Sequence, residues 1–183
     1  GEAYDVTAHA DHLAAWLAAY RLPPACVLGH SSGAQVAAAL ASRHPDTVRA
    51  VVLAGPTCDP KARTRPRQIG RWLVDVAREA PLQAPILVRD VWDARPWRVR
   101  TTLSHSVRNP VEADLVRIAV PALVVTGSRD PVVPPSWRAQ VARLVPQART
   151  VVVPGAAHNV ATTAPVQVAD AIRRLLAPSL TKG

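Results

Sequence analysis

Between Asp5 and Tyr20 the apolar positions Leu13, Trp16, Leu17 and Tyr20 recur at helical spacing, which predicts an amphipathic helix with Asp5 or Thr7 as its N-cap. Pro23 and Pro24 end it, because proline has no N–H for the ladder and its ring collides with the preceding turn. The pattern then changes. Residues 25–28 form an unbroken apolar run, Gly29 follows at once, and an alanine-rich stretch over residues 34–40 closes near His44 and Pro45. This reads as buried strand, sharp turn and helix. Unbroken runs return at residues 50–54, 122–126 and 150–153, and helical spacings follow the last two over residues 136–144 and 165–176. Short strands, apolar on both sides and alternating with helices, predict an α/β fold: a parallel sheet of about four strands with helices on both faces.

The stretch over residues 57–119 breaks the alternation. Its apolar positions, Ile69, Trp72, Leu73 and Val76, then Ile86, Leu87, Val91 and Trp92, sit at helical spacings with no strand among them. It predicts a helical insertion between two parts of one core, residues 1–56 and 120–183. Trp72, Trp92 and Trp97 fall inside it. Such rings either line an apolar pocket or hold the helices to the core, and packing is the commoner use of large aromatics. The tail beyond Pro178 is expected to fray.

Composition narrows the picture only a little. A chain of 183 residues that is 49% hydrophobic is enough for one substantial core. The net charge of +9 is carried almost wholly by arginine, with Lys61 and Lys182 the only lysines and acidic residues interspersed throughout. Nucleic-acid or membrane-surface binding calls for a basic patch, stripe or motif, and none is seen, so neither partner is expected. Cys26 and Cys58 offer neither a disulfide framework nor metal-ligand spacing. No apolar run is long enough for a bilayer, and the first ten residues lack the pattern of a signal peptide, so the expected location is cytoplasmic. The chain contains no methionine and opens on Gly1 in loop-like sequence, which removal of an initiator methionine and origin as a piece of a longer protein explain equally well.

The chemistry is concentrated in three loops. Gly29-His30-Ser31-Ser32-Gly33 matches G-x-S-x-G and falls between a buried strand and a helix, where a strained turn lifts a serine hydroxyl clear of the sheet. The flanking glycines are expected because side chains there would collide with neighbouring backbone. A hydroxyl needs a base at neutral pH, usually a histidine held by a buried carboxylate. The run at 122–126 leads into Gly127-Ser128-Arg129-Asp130-Pro131, and the run at 150–153 leads into Pro154-Gly155-Ala156-Ala157-His158-Asn159. Both loops leave the carboxyl ends of strands, the edge at which open α/β sheets build their sites. Taken singly, Asp130 is equally well a turn residue and His158 a loop histidine bonded to a carbonyl; together with Ser31 they make a nucleophile, an acid and a base in the expected chain order.

These stretches, GHSSG, VVTGSRDPVVP and VVVPGAAHN, resemble the nucleophile, acid and histidine loops of the α/β-hydrolase superfamily, in its serine esterase and C–C hydrolase branch. The resemblance spans nearly the whole chain. It implies Ser31 as nucleophile, His158 as general base and acid, Asp130 as the carboxylate that orients it, the Ser32 N–H as an oxyanion donor, and residues 57–119 as a cap over the pocket. Asp59, after the preceding strand, is the alternative acid, since some relatives place theirs there. An aspartate would replace Ser31 in dehalogenase relatives. Relatives also carry further strands before the nucleophile strand, one of them followed by a His-Gly type loop that supplies the second oxyanion donor. This sequence has no counterpart, so it reads as a truncated α/β-hydrolase fold, and one lost donor is worth roughly 2.7–4 kcal/mol in the transition state. Weak turnover of p-nitrophenyl esters is therefore expected, along with an apolar edge at residues 25–28 open to self-association.

The implied activity is hydrolysis of a small apolar ester, thioester, lactone or activated C–C bond through an acyl-enzyme, with no cofactor and no metal. The alternatives are a non-catalytic remnant or binding module that retains the three residues, and a cofactor-free perhydrolase or haloperoxidase-like activity using the same residues. Of the other histidines, His9 and His12 stand one turn apart with no third ligand and are expected to face solvent. His30 is expected to pack or hydrogen-bond locally, and His44 to sit at a helix end.

Overall fold

Alternation along the second strand explains how the sheet is buried on both sides. The computed structural model describes residues 4–79 and 83–177, apart from the side chains of Ala84 and Leu87. The predicted start at Gly1, the Leu87 position and the tail beyond Pro178 lie outside the described residues. Four parallel strands, β1 (Ala25–His30), β2 (Val48–Ala54), β3 (Ala122–Gly127) and β4 (Ala148–Val153), pair in the order β1-β2-β3-β4. On β2, Val51 and Leu53 point into one apolar cluster while Ala50, Val52 and Ala54 point into another, as the two-residue period of a strand requires. Leu123 and Val125 of β3 join the second cluster and Val124 the first.

Helices α1 (Val6–Ala19) and α2 (Ser32–Arg43) cover the first face. The side chain of Asp5 accepts the Ala8 N–H at 2.8 Å, which fixes the start of α1. The buried stripe of that helix is Val6, Ala10, Ala14 and Leu17. Trp16 and Tyr20, expected on it, are instead exposed and lie against each other with ring centroids 5.0 Å apart. Small alanines let α1 approach the alanine-rich α2 closely, and rings of that size do not fit the seam.

Between β2 and β3 run α3 (Arg65–Val76), α4 (Gln83–Asp93), α5 (Pro96–Arg108) and α6 (Val111–Leu115). α6, with Ile118 just beyond it, contributes Val111, Leu115 and Ile118 to the main cluster beside α2. α7 (Pro135–Leu144) packs on the same face through Trp137 and Val141. Trp137 is fully buried, and its indole N–H donates to the Pro56 carbonyl at 2.8 Å. α8 (Val160–Thr163) and α9 (Pro165–Leu176) cover the second face through Val160, Val168, Ala171 and Leu175. Each fully buried valine or leucine contributes about 1.5–3 kcal/mol of transfer free energy.

Two expectations change. The apolar runs predict strands covered on both faces, with an open edge at residues 25–28; Leu28 on β1 is exposed as that edge implies, but Val152 on β4 is exposed as well, because β1 and β4 are the outer strands of the described sheet. The insertion tryptophans do not serve mainly to pack helices on the core. Trp92 is 77% exposed and Trp97 48%, and Trp72 forms part of a cavity wall. For Trp72 the cause is the orientation of α3. It turns Gln68 and Asp75 inward and leaves Ile69 and Leu73 on the open side, so its apolar stripe borders space and its polar stripe meets the core loops.

Candidate active site

β1 delivers Ser31 into the turn before α2 with φ 55° and ψ −120°, a positive φ that side chains rarely adopt. Its own N–H donates to the Ala54 carbonyl at 2.9 Å, which ties the turn to β2. Serine at the start of a helix ordinarily caps it. Here the Ser31 side chain makes no capping bond to α2, because Oγ is engaged 2.9 Å from Nε2 of His158. The two glycines of the motif are not equivalent. A β-carbon on Gly29 runs into the backbone of Gly33 and Ala34, whereas one on Gly33 meets nothing within 4 Å. The expectation that both flanks must lack side chains therefore holds for Gly29 alone on grounds of space.

The loops after β3 and β4 converge on the same point. His158 Nδ1 lies 2.9 Å from Asp130 Oδ2, with the two side chains 5% and 0% exposed. The other oxygen of Asp130 accepts the N–H groups of Val132 and Val133 at 2.8 and 3.0 Å, so the carboxylate is held at both ends. A carboxylate only accepts, hence the imidazole proton belongs on Nδ1, which leaves the Nε2 lone pair facing the Ser31 hydroxyl. Asp59 is elsewhere engaged. It receives Arg71 Nη2 at 2.8 Å and the Lys61 N–H at 2.9 Å, and no bond joins it to His158.

Every polar group of His158 has a partner. Its N–H donates to Asp75 Oδ1 at 2.9 Å, and its carbonyl accepts from His30 Nε2 at 3.0 Å. Burial pulls the His158 imidazole toward a lower pKa, but the Asp130 hydrogen bond and the charges of Asp130, Asp75 and Glu79 outweigh it and hold the group above its ordinary value. His30 moves the opposite way: burial and then the neighbouring His158 charge lower its pKa, which favours the neutral ring. Its bond to the His158 carbonyl identifies Nε2 as the protonated nitrogen.

In front of Ser31 and His158 opens a cavity of about 1110 Å³. Its walls include Ile69, Trp72, Val91, Val99 and Leu103 from the insertion, with Ser32 beside Ser31 at the base. Arg65, Arg98 and Arg100 also line it, and no carboxylate stands among its described lining residues. His9 borders it from α1, where it and His12 lie near the Tyr4 ring and are exposed; among the described residues no His, Cys, Asp and Glu group has metal-binding geometry. His44 closes α2 and lies 2.8 Å from Asp11. Cys58 is buried, and burial pushes its thiol up to about 11, far from a reactive thiolate.

Sequence reasoning assigned Ser31, Ser32, Asp130 and His158 to one edge, and these residues share it. It did not find Asp75, Glu79, Arg71 or Gly55, all of which touch the loops or ring of that site. The available signal was the recurrence of charged residues at helical spacing, Arg71, Asp75, Arg78 and Glu79, a pattern that ordinarily marks a solvated face.

The family model described as serine aminopeptidase, S33, matches residues 3–163. Among curated proteins, the pimeloyl-[acyl-carrier protein] methyl ester esterase of Neisseria meningitidis serogroup B / serotype 15 (strain H44/76) is 31% identical, in an alignment covering 85% of this chain and 68% of the relative. Among solved structures, a thermophilic esterase is 25% identical with a TM-score of 0.75, covering 96% of this chain and 74% of that one. E-2-(acetamidomethylene)succinate hydrolase shares the fold at 22% identity and a TM-score of 0.73, over 95% of this chain and 74% of the other.

Proposed function

This chain belongs to the hydrolase family described as serine aminopeptidase, S33, within the α/β-hydrolase superfamily, and on that footing we propose that it is a serine esterase working through an acyl-enzyme on Ser31. The observation that carries the reading is the unbroken path from Ser31 Oγ to His158 Nε2 and from His158 Nδ1 to Asp130 Oδ2, 2.9 Å at each step. His158 takes the hydroxyl proton as Oγ adds to the ester carbonyl. Asp130 holds the ring and favours the imidazolium so formed, and the Ser32 N–H donates to the developing oxyanion. Collapse expels the alcohol, which leaves with the proton from His158. Water then attacks the acyl-enzyme, giving a proton to His158, and the acid departs as Ser31 is restored.

In this reading residues 57–119 act as a cap, and the cavity beneath them takes the acyl part of the substrate. Its wall of aliphatic and aromatic side chains suits a hydrocarbon chain, while Arg65, Arg98 and Arg100, unopposed by any carboxylate among the described lining residues, suit an anionic group on the same substrate. The name of the curated relative, a methyl ester esterase of a carrier-bound acyl group, supports an acyl ester as the class.

The test is covalent. A fluorophosphonate probe labels Ser31 in the wild-type chain, with the label located by peptide mass spectrometry, and labelling is lost in Ser31→Ala and in His158→Ala. Labelling of a different residue, or persistence in Ser31→Ala, would end this reading.

A further inference from the structure

Helix α3 meets the site through its charged stripe. Arg71 donates to the Val132 carbonyl at 3.3 Å and to Asp59 at 2.8 Å, and Arg78 donates to the Arg129 carbonyl at 3.0 Å; Val132 and Arg129 flank Asp130. Four residues on from Arg71, Asp75 Oδ1 accepts the His158 N–H at 2.9 Å. Just beyond the end of the helix, Glu79 Oε1 accepts the Asn159 N–H at 2.7 Å. Arg71 and Asp75, at i and i+4, share a face of α3, and Arg78 and Glu79 follow in the turn just beyond its end at Val76, so the end of α3 and the turn after it hold the backbone of both the acid loop and the histidine loop.

A neutral acceptor would satisfy those two N–H groups equally well. Burying a carboxylate instead carries a larger desolvation penalty, and Asp75 is 2% exposed with no ion pair to a cation among the described residues. Burial pushes its carboxyl up to about 6, against the pull of the His158 N–H and ring, and with Glu79 and Asp130 pushing the same way as burial. What a carboxylate provides there, and an amide does not, is negative charge beside the imidazole.

We propose that Asp75, seconded by Glu79, is a positioning residue for His158: it fixes the register of the histidine loop and its charge favours the imidazolium formed when Ser31 yields its proton. The inference rests on the reading of His158 as the base. The titratable groups facing Asp75 are His158 and Asp130 from the core loops and Glu79 from the turn after α3. Arg71 on α3 and Arg78 in the turn after it are bonded to Asp59, Val132 and Arg129.

Asp75→Asn keeps an acceptor oxygen for the His158 N–H and removes the charge, and Glu79→Gln does the same at Asn159. In the full chain labelled with ring-¹⁵N histidine, the His158 signal is identified by its absence in His158→Gln and followed through a pH titration. Its midpoint is expected to move to lower pH in either variant and further in the double variant. The acid limb of kcat/KM for p-nitrophenyl acetate moves in the same direction, and kcat at neutral pH falls about tenfold with KM held within about twofold. A role in folding alone changes the melting temperature and leaves the midpoint where it is, and that result overturns the proposal. Should Asp75→Asn not fold, Glu79→Gln, at a half-buried position, carries the same test. Wild-type turnover that survives His158→Ala would refute the esterase reading, while the imidazole titration decides the role of Asp75 independently.

Discussion

The backbone of Gly55 is the floor on which the imidazole of His158 lies: a β-carbon on Gly55 would stand 2.9 Å from Cε1 and 3.0 Å from Nδ1 of the ring. Gly55 has φ +54° and donates its N–H to the Val125 carbonyl at 2.8 Å, so it cannot move aside without breaking the junction of β2 and β3.

Gly55→Ala is therefore expected to act on the ring. The new methyl competes with a group already held by Asp130 and Ser31, and the positive φ adds strain, for a combined loss of about 1–3 kcal/mol in stability. A displaced imidazole lowers kcat far more than it changes KM. Steady-state kinetics and thermal melts on the same preparation check this; a variant with wild-type kcat would show that the ring does not depend on this floor.

Asp130 and Asp59 offer a direct contrast, because both are buried carboxylates beyond the carboxyl ends of adjacent strands and only one touches His158. Asp130→Asn should lower kcat by about 10³–10⁴, since an amide donor facing Nδ1 favours the wrong tautomer. Asp59→Asn should leave kcat within about threefold, with a loss of about 1 kcal/mol or more in stability from weakening its ion pair with Arg71. The two assays settle which aspartate serves the histidine.

Much of this arrangement is legible in the sequence, for reasons that differ by element. The strands are visible as unbroken apolar runs because β2 and β3 are covered on both faces, and the run alone does not reveal that β1 and β4 lie at the edges of the described sheet. The loops of Ser31, Asp130 and His158 are visible because their chemistry demands particular residues at the ends of strands. α3 is visible as a helix and illegible in orientation. Periodicity separates a polar stripe from an apolar one, and the usual assumption sends the apolar stripe inward. Here the loops offer N–H groups and carbonyls that only the polar stripe can satisfy, so Asp75 goes in and Ile69 and Leu73 stay out.

The cavity arginines give an expectation about substrate. If Arg65, Arg98 and Arg100 meet an anionic acyl group, the p-nitrophenyl monoester of a dicarboxylic acid should show a lower KM than a neutral ester of the same length, and added salt should erase part of the difference. Replacing Arg98 and Arg100 by glutamine should raise KM for the charged ester about tenfold, consistent with charge-assisted hydrogen bonds of about 1.5–3 kcal/mol weakened by exposure, and leave the neutral ester within about twofold. Equal KM values for the two esters in the wild type would remove the anionic group from the substrate class.

Asp75 also makes an expectation about stability, opposite in sign to its effect on the imidazole. Its folded-state pKa of about 6 stands above the ordinary value of 3.8, so the folded chain holds this proton more tightly than the unfolded one. The stability this group provides is then present below pH 3.8 and is lost as pH rises through about 6, a displacement worth about 3 kcal/mol once complete. Asp75→Asn cannot ionise and escapes the loss. Thermal melts at intervals from pH 4 to pH 8 should therefore show the variant gaining on the wild type between about pH 4 and pH 6, with the difference constant above that range. A gap that stays level from pH 4 upward would mean the carboxyl titrates in the folded chain as it does in the unfolded one, and the negative charge beside His158 would then come without a penalty to the fold.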